Sequence, residues 1–231
     1  MSPVKIHGVL FDLGGTLIDG RDFVGWAEEG QALGLRIDSE AVARAWEKAQ
    51  PWVNHREDSR VELWRDVLSR ASSSRVSDEL AQRFVDRERS KPIYGALFSD
   101  ARRCIDRLAR DHRRLGIVSN SRSEPAVRQL LQALDLESAF EIVVSSGTEG
   151  VKKPDRAIFL RALDRMGLPA GAALFVGDDL DNDFQGARAA GLHAVWLNRA
   201  GTGADGASPE ILSLSEVPRI VRLLEAGAPV K

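Results

Sequence analysis

At 231 residues, with 43% apolar and 29% charged positions, the chain is large enough for one sizeable domain, or a core domain carrying a smaller insert. A net charge of −2 argues against a nucleic-acid partner, and no apolar run approaches the roughly 18 residues of a membrane span. The single cysteine, Cys104, excludes an intramolecular disulfide framework, and "MSPVKIHGVLFD" lacks the pattern of a signal peptide, so a cytoplasmic protein is expected.

In chain order, Ile6–Phe11 is a near-continuous apolar run and reads as a buried parallel strand. It ends on Asp12 and the pair Gly14–Gly15. From about Arg21 to Pro92 the pattern contains no strand and reads as several helices, among them Ser39–Ala49 and Arg60–Ala71. Four of the five tryptophans fall here (Trp26, Trp46, Trp52 and Trp64), and packing within a helical insert is their expected role. The chain re-enters the core near Tyr94–Asp100. Leu115–Ser119 is the second strand. A helix follows with the stripe Val127, Leu130, Leu131 and Leu134, with Ser123 as N-cap and Pro125 in its first turn. Ile142–Ser145 is the third strand. The next helix carries Ile158, Phe159, Ala162, Leu163 and Met166, opened by Asp155 and closed by Gly167. Ala173–Val176 and Ala194–Leu197 are the fourth and fifth strands. The alternation predicts an α/β fold, a Rossmann-like open parallel sheet, with residues 1–20 and 93–231 as core and 21–92 as helical insert.

Ligands of such a sheet bind beyond the carboxyl ends of its strands. Those ends offer Asp12, then Ser119 and Asn120, then Asp178 and Asp179, with Lys152 and Lys153 ahead of Pro154. Singly, each has an ordinary reading: a strand-end cap, a turn residue, a surface charge, a hydrated acidic loop. Their shared position is what points to a site. Two other patterns fail. Asp179, Asp181 and Asp183 alternate like a calcium-binding EF-hand loop, but its sixth and twelfth positions would be Phe184 and Ala190 instead of Gly and Glu. "GTGADG", 201–206, fits a nucleotide fingerprint literally yet opens no helix, and reads as a loop.

Four segments resemble, in order, the four motifs of the haloacid dehalogenase-like hydrolases: "VLFDLGGTL", "LGIVSNS", "VKKPDRAIF" and "FVGDDLDNDFQGARAAGL". The helical insert sits where that family places a smaller cap domain. The resemblance implies an Mg²⁺-dependent phosphatase acting on a small phosphorylated substrate, with Asp12 as nucleophile and a phosphoaspartyl intermediate. It further implies Mg²⁺ held by Asp12, the carbonyl of Gly14, Asp178 and Asp183. Lys153 and Ser119 would steady the transferring phosphoryl group, with Gly15, Thr16 and Asn120 completing the phosphate site.

The sequence departs from the family at Gly14, where its phosphatases usually carry a second aspartate that protonates the leaving group. Three readings follow. Another group replaces it, with Asp19, His55 or a residue of the insert as candidates; the substrates have good leaving groups; or the chain is an attenuated enzyme that binds a phosphometabolite or a partner protein. Haloacid-type dehalogenation is the rival chemistry within the fold, although the aromatic residue typical of that branch at position 14 is missing. His55, Arg56 and Arg60 are candidates for substrate contact, against a plain solvated helix face. Both monomer and homodimer remain open.

Overall fold

The protein's structure, a computed structural model, describes residues 5–49, 60–93, 95–201 and 209–229. The chain divides into two compact units, Met1–Gly20 with Gly95–Lys231, and Arg21–Tyr94. It runs through β1 (Gly8–Phe11) and β2 (Ile18–Asp19), then helices α1 (Phe23–Ala32), α2 (Ser39–Ala49), α3 (Arg60–Ser72) and α4 (Asp78–Ser90). There follow β3 (Ala96–Leu97), α5 (Ala101–Arg110), β4 (Arg114–Ser119), α6 (Glu124–Ala133), β5 (Ile142–Ser145), α7 (Ser146–Glu149) and α8 (Arg156–Met166). The chain continues with β6 (Ala173–Gly177), a π-helical turn Leu180–Gln185, α9 (Gly186–Ala189), β7 (His193–Leu197), β8 (Glu210–Ile211) and α10 (Val217–Glu225).

The six-stranded sheet has the order β5-β4-β1-β6-β7-β8 and every pair is parallel. β1 lies at its centre, with Phe11 in register with Ile117 and Val176. Leu10, Val118, Val144 and Phe175 pack against Ile158, Phe159 and Met166 of α8, so the apolar runs are covered as parallel strands require. The expected caps are present: Ser123 Oγ accepts from Ala126 N–H, Asp155 Oδ1 accepts from Ala157 N–H, and Gly167 closes α8 in the left-handed conformation.

Two details differ from the sequence reading. β1 begins at Gly8; Ile6 is buried, but its N–H donates to Glu225 Oε1 at 3.1 Å instead of to a strand. β8 and the antiparallel pair β2–β3 are two residues long, too short to show a period. Residues 202–206 of "GTGADG", like Trp52, His55, Arg56 and Tyr94, lie outside the described residues.

In the helical unit, Trp64 lies 4.9 Å from Trp26 and 4.4 Å from Phe84 between ring centroids, and Trp46 lies 4.8 Å from Trp26. These rings form its core, together with Val42, Val67, Leu68 and Val85. Glu29 is buried there and paired with Arg87 and Lys91. Among the described residues, no helix is long and apolar enough to cross a membrane.

Candidate active site

Asp12 follows β1 directly. Its N–H still donates to Val176 O at 2.9 Å, which fixes its side chain at the carboxyl edge of the sheet. The chain then turns tightly, with Leu17 and Ile18 N–H both donating to Leu13 O and Gly15 N–H to Ile18 O. Gly15 has φ +83°, and a Cβ there would lie 2.2 Å from Asp178 Oδ2. Only a glycine lets the turn pass that close to the carboxylate. Gly14 is different: a Cβ at that position would meet nothing within 4 Å.

Lys153 reaches the same edge from the segment before α8. Its Nζ donates to Asp12 Oδ1 and to Asp183 Oδ1, each at 2.6 Å. Lys153 and Asp183 are only 2% and 1% exposed, so both ion pairs lie away from solvent. Burial by itself would lower the lysine's pKa; the charges of Asp12 and Asp183 outweigh it and hold the ammonium above its ordinary range. The π-helical turn supplies Asp183, whose Oδ2 accepts from Asp179 N–H at 3.1 Å. Asp179 itself caps that turn by accepting from the N–H groups of Asp181 and Asn182. Asp178 follows β6; its Oδ1 accepts from Thr16 Oγ1 at 3.0 Å and its carbonyl accepts from Trp196 Nε1 at 2.8 Å.

Asp12, Asp178 and Asp183 each place one carboxylate oxygen within 4.8 Å of the others. Three acids share one lysine, and the cluster is short of positive charge. Desolvation, followed by the charges of Asp12 and Asp183, raises the Asp178 carboxyl well above the usual range. For Asp183, desolvation together with Asp12 outweighs the opposing pull of Lys153 and lifts it to about 7. Carboxyls raised in this way for want of a counter-charge suit a hard divalent cation, which prefers such oxygen donors. The residues present fit Mg²⁺.

Ser119 is buried at the end of β4, in register with Ser145. Asn120 turns its side chain to the backbone of Lys153: Oδ1 accepts from Lys153 N–H at 2.8 Å, and Nδ2 donates to Lys153 O at 3.1 Å. Those contacts place the lysine. Asp19 lies in β2 opposite Ala96, and Arg60 pairs with Glu88 at 2.7 Å within the helical unit.

The sequence reading missed Arg199 and Asp100. Arg199 Nη2 donates to Thr16 O at 2.8 Å and Nε to Gly15 O at 3.2 Å, while Nη1 pairs with Asp100 Oδ2 at 3.0 Å. Neither belongs to a motif, and the two stand 99 positions apart. Their one sequence signal is position: Asp100 precedes α5, and Arg199 follows β7 at the same edge.

A family model for haloacid dehalogenase-like hydrolases matches residues 6–191. Among curated relatives, N-acylneuraminate-9-phosphatase of Mus musculus is 25% identical over 97% of both chains. Phosphoglycolate phosphatase of Yersinia pestis is 28% identical over 83% of this chain and 81% of its own. Among solved structures, 2-haloacid dehalogenase from Pseudomonas syringae pv. Tomato DC3000 is 27% identical, covers 94% of this chain and 98% of its own, and superposes with a TM-score of 0.61.

Proposed function

The chain belongs to the haloacid dehalogenase-like hydrolases and falls with their phosphoric monoester hydrolases, and we propose that it removes phosphate from a small phosphorylated metabolite through Asp12. The observation that carries this reading is the junction of Asp12, Lys153, Asp178 and Asp183 at the carboxyl edge of the sheet. Asp12 attacks phosphorus in line; the aspartyl O–P bond forms as the ester O–P bond breaks. Water then attacks the same phosphorus, releasing phosphate and restoring the carboxylate. Lys153 holds Asp12 Oδ1, which fixes the nucleophile's rotamer, and its charge offsets repulsion between carboxylate and phosphoryl group. Ser119 donates to a phosphoryl oxygen, and Gly15, Thr16 and Asn120 shape the phosphate site.

Asp12, Asp178, Asp183 and the carbonyl of Gly14 would hold Mg²⁺, which when bound supplies charge neutralisation on the phosphoryl oxygens. With Gly14 in place of an acid, the chain offers no carboxyl at that position to protonate the leaving oxygen. Substrates that leave readily, such as acyl or aryl phosphates, are therefore preferred. The helical unit is read as the cap that selects the substrate.

The test is a screen of phosphorylated compounds against wild type and Asp12→Asn. Loss of turnover in the folded variant is expected; turnover that survives removes Asp12 as nucleophile. A second reading, carbon–halogen cleavage by the same aspartate, draws on the likeness to 2-haloacid dehalogenase. That chemistry needs no divalent ion, so EDTA separates the two: it abolishes phosphatase turnover and spares dehalogenation.

A further inference from the structure

We propose that Arg199, held by Asp100, is a positioning residue that sets the divalent-cation affinity of the Asp12–Asp178–Asp183 cluster. The inference rests on the Mg²⁺ reading above and adds residues that none of the four sequence motifs contains.

The guanidinium makes four hydrogen bonds. It donates to the carbonyls of Gly15 and Thr16 and to both oxygens of Asp100, with the Nη2–Oδ1 contact at 3.1 Å. One face of it lies 3.9 Å from the centroid of Phe98. Asp100 is buried and is itself fixed, accepting from Ser213 Oγ at 2.8 Å and from Leu214 N–H at 2.9 Å. The pair thus joins the turn after β1, the end of β7 and the segment before α10 into one hydrogen-bonded unit.

The two carbonyls it grips belong to the residues that touch Asp178. Gly15 passes so close that a Cβ would sit 2.2 Å from Asp178 Oδ2, and Thr16 Oγ1 donates to Asp178 Oδ1. Releasing the Gly15–Thr16 carbonyls would let this peptide rotate, and Asp178 would lose both the wall and the hydrogen bond that aim it. Asp12 is held separately, through Val176 O and Lys153, and Asp183 through Lys153 and Asp179 N–H. Among the three carboxylates, Arg199 therefore acts on Asp178 alone. Lysine cannot replace it, because a single ammonium has three donors and no planar fork to span four acceptors.

The experiment measures Mn²⁺ binding to the full-length protein by electron paramagnetic resonance, without substrate. It compares wild type, Arg199→Lys, Arg199→Ala, Asp100→Asn and a control, Arg113→Lys. Arg113 anchors Ile6 O and Glu225 at the opposite end of β1. Loss of a ligand's supporting hydrogen bonds typically weakens metal binding by about 10–100-fold, and that is the expectation for Arg199→Lys and Asp100→Asn. Arg113→Lys, compared at a matched drop in melting temperature, should bind as wild type does. Arg199→Lys and Asp100→Asn binding like wild type overturns the inference while leaving the metal reading intact. Equal weakening in Arg113→Lys also overturns it, since the effect would then be general loosening. If wild type itself takes up no Mn²⁺, the metal reading falls and the inference with it. Should Arg199→Ala fail to fold, the other two variants decide.

Discussion

Lys153 Nζ stands 2.6 Å from Asp12 Oδ1, and both residues are buried. The lysine donates to both Asp12 and Asp183, so the carboxyl cluster depends on it. Removing one partner of a buried pair leaves the other uncompensated, at a cost of about 3–5 kcal/mol. Lys153→Met should therefore be destabilised by that order and lose phosphatase turnover. Without the ammonium the acids keep protons to higher pH, so the loss should be greater at pH 8 than at pH 5. Urea unfolding at the two values checks this; equal losses at both would show that the acids do not rely on Lys153.

Gly15 and Gly14 are neighbours with opposite constraints. Gly15 has φ +83° and no room for a Cβ, whereas at Gly14 a Cβ meets nothing within 4 Å and φ lies outside the left-handed region. Gly15→Ala should cost about 1–3 kcal/mol in stability, because the strain and the clash with Asp178 add. Gly14→Ala should stay within about 1 kcal/mol of wild type. Thermal melts of the two variants, run side by side, give the comparison, and equal melting temperatures would contradict the geometry.

These two glycines show how far the sequence could be read. The strand ends, helix caps and parallel topology were legible because each follows a local rule: apolar runs, N-cap side chains, a left-handed glycine after α8. That Asp12, Lys153 and Asp178 share one edge follows from topology once the strands are placed, whereas Asp183, on the π-helical turn, was named only by the family resemblance. The Arg199–Asp100 link was not legible, since hydrogen bonds across 99 positions leave no periodic trace. Nor was the occupation of Asn120. Its amide bonds the Lys153 backbone on both sides, a link between segments 33 positions apart. The two-residue strands β2, β3 and β8 were invisible for want of length.

The raised carboxyls of Asp178 and Asp183 make a prediction about pH and metal together. Asp183 moves from 3.8 to about 7, so between those values the metal-free folded state holds a proton that the unfolded chain has released. Stability rises with pH only where the unfolded state binds more protons; here the folded state binds more, and stability falls as pH rises through this window. A divalent cation takes the place of the proton. The rise in melting temperature produced by Mg²⁺ should then be larger at pH 8 than at pH 5.5, reaching about 2.7 kcal/mol of stabilisation at a hundredfold excess over Kd. A gain that shrinks from pH 5.5 to pH 8 would speak against proton–metal exchange at this cluster.

Gly14→Asp tests what the missing acid does. The position is exposed, the surrounding space is open, and the backbone accepts a side chain, so the variant should fold with a stability change of about 1 kcal/mol or less. A positioned acid–base group is typically worth about 10²–10⁴-fold in rate, but only where the leaving oxygen needs its proton. Alkyl phosphates, whose alkoxides are poor leaving groups, should gain in kcat by that order. Aryl and acyl phosphates should change little, since their leaving groups depart as anions. The ratio of the two rates in wild type and variant is the quantity to measure. If alkyl phosphates turn over no faster in Gly14→Asp, the preference for good leaving groups has another origin, and the proton must already come from a group elsewhere in the site or from the substrate itself.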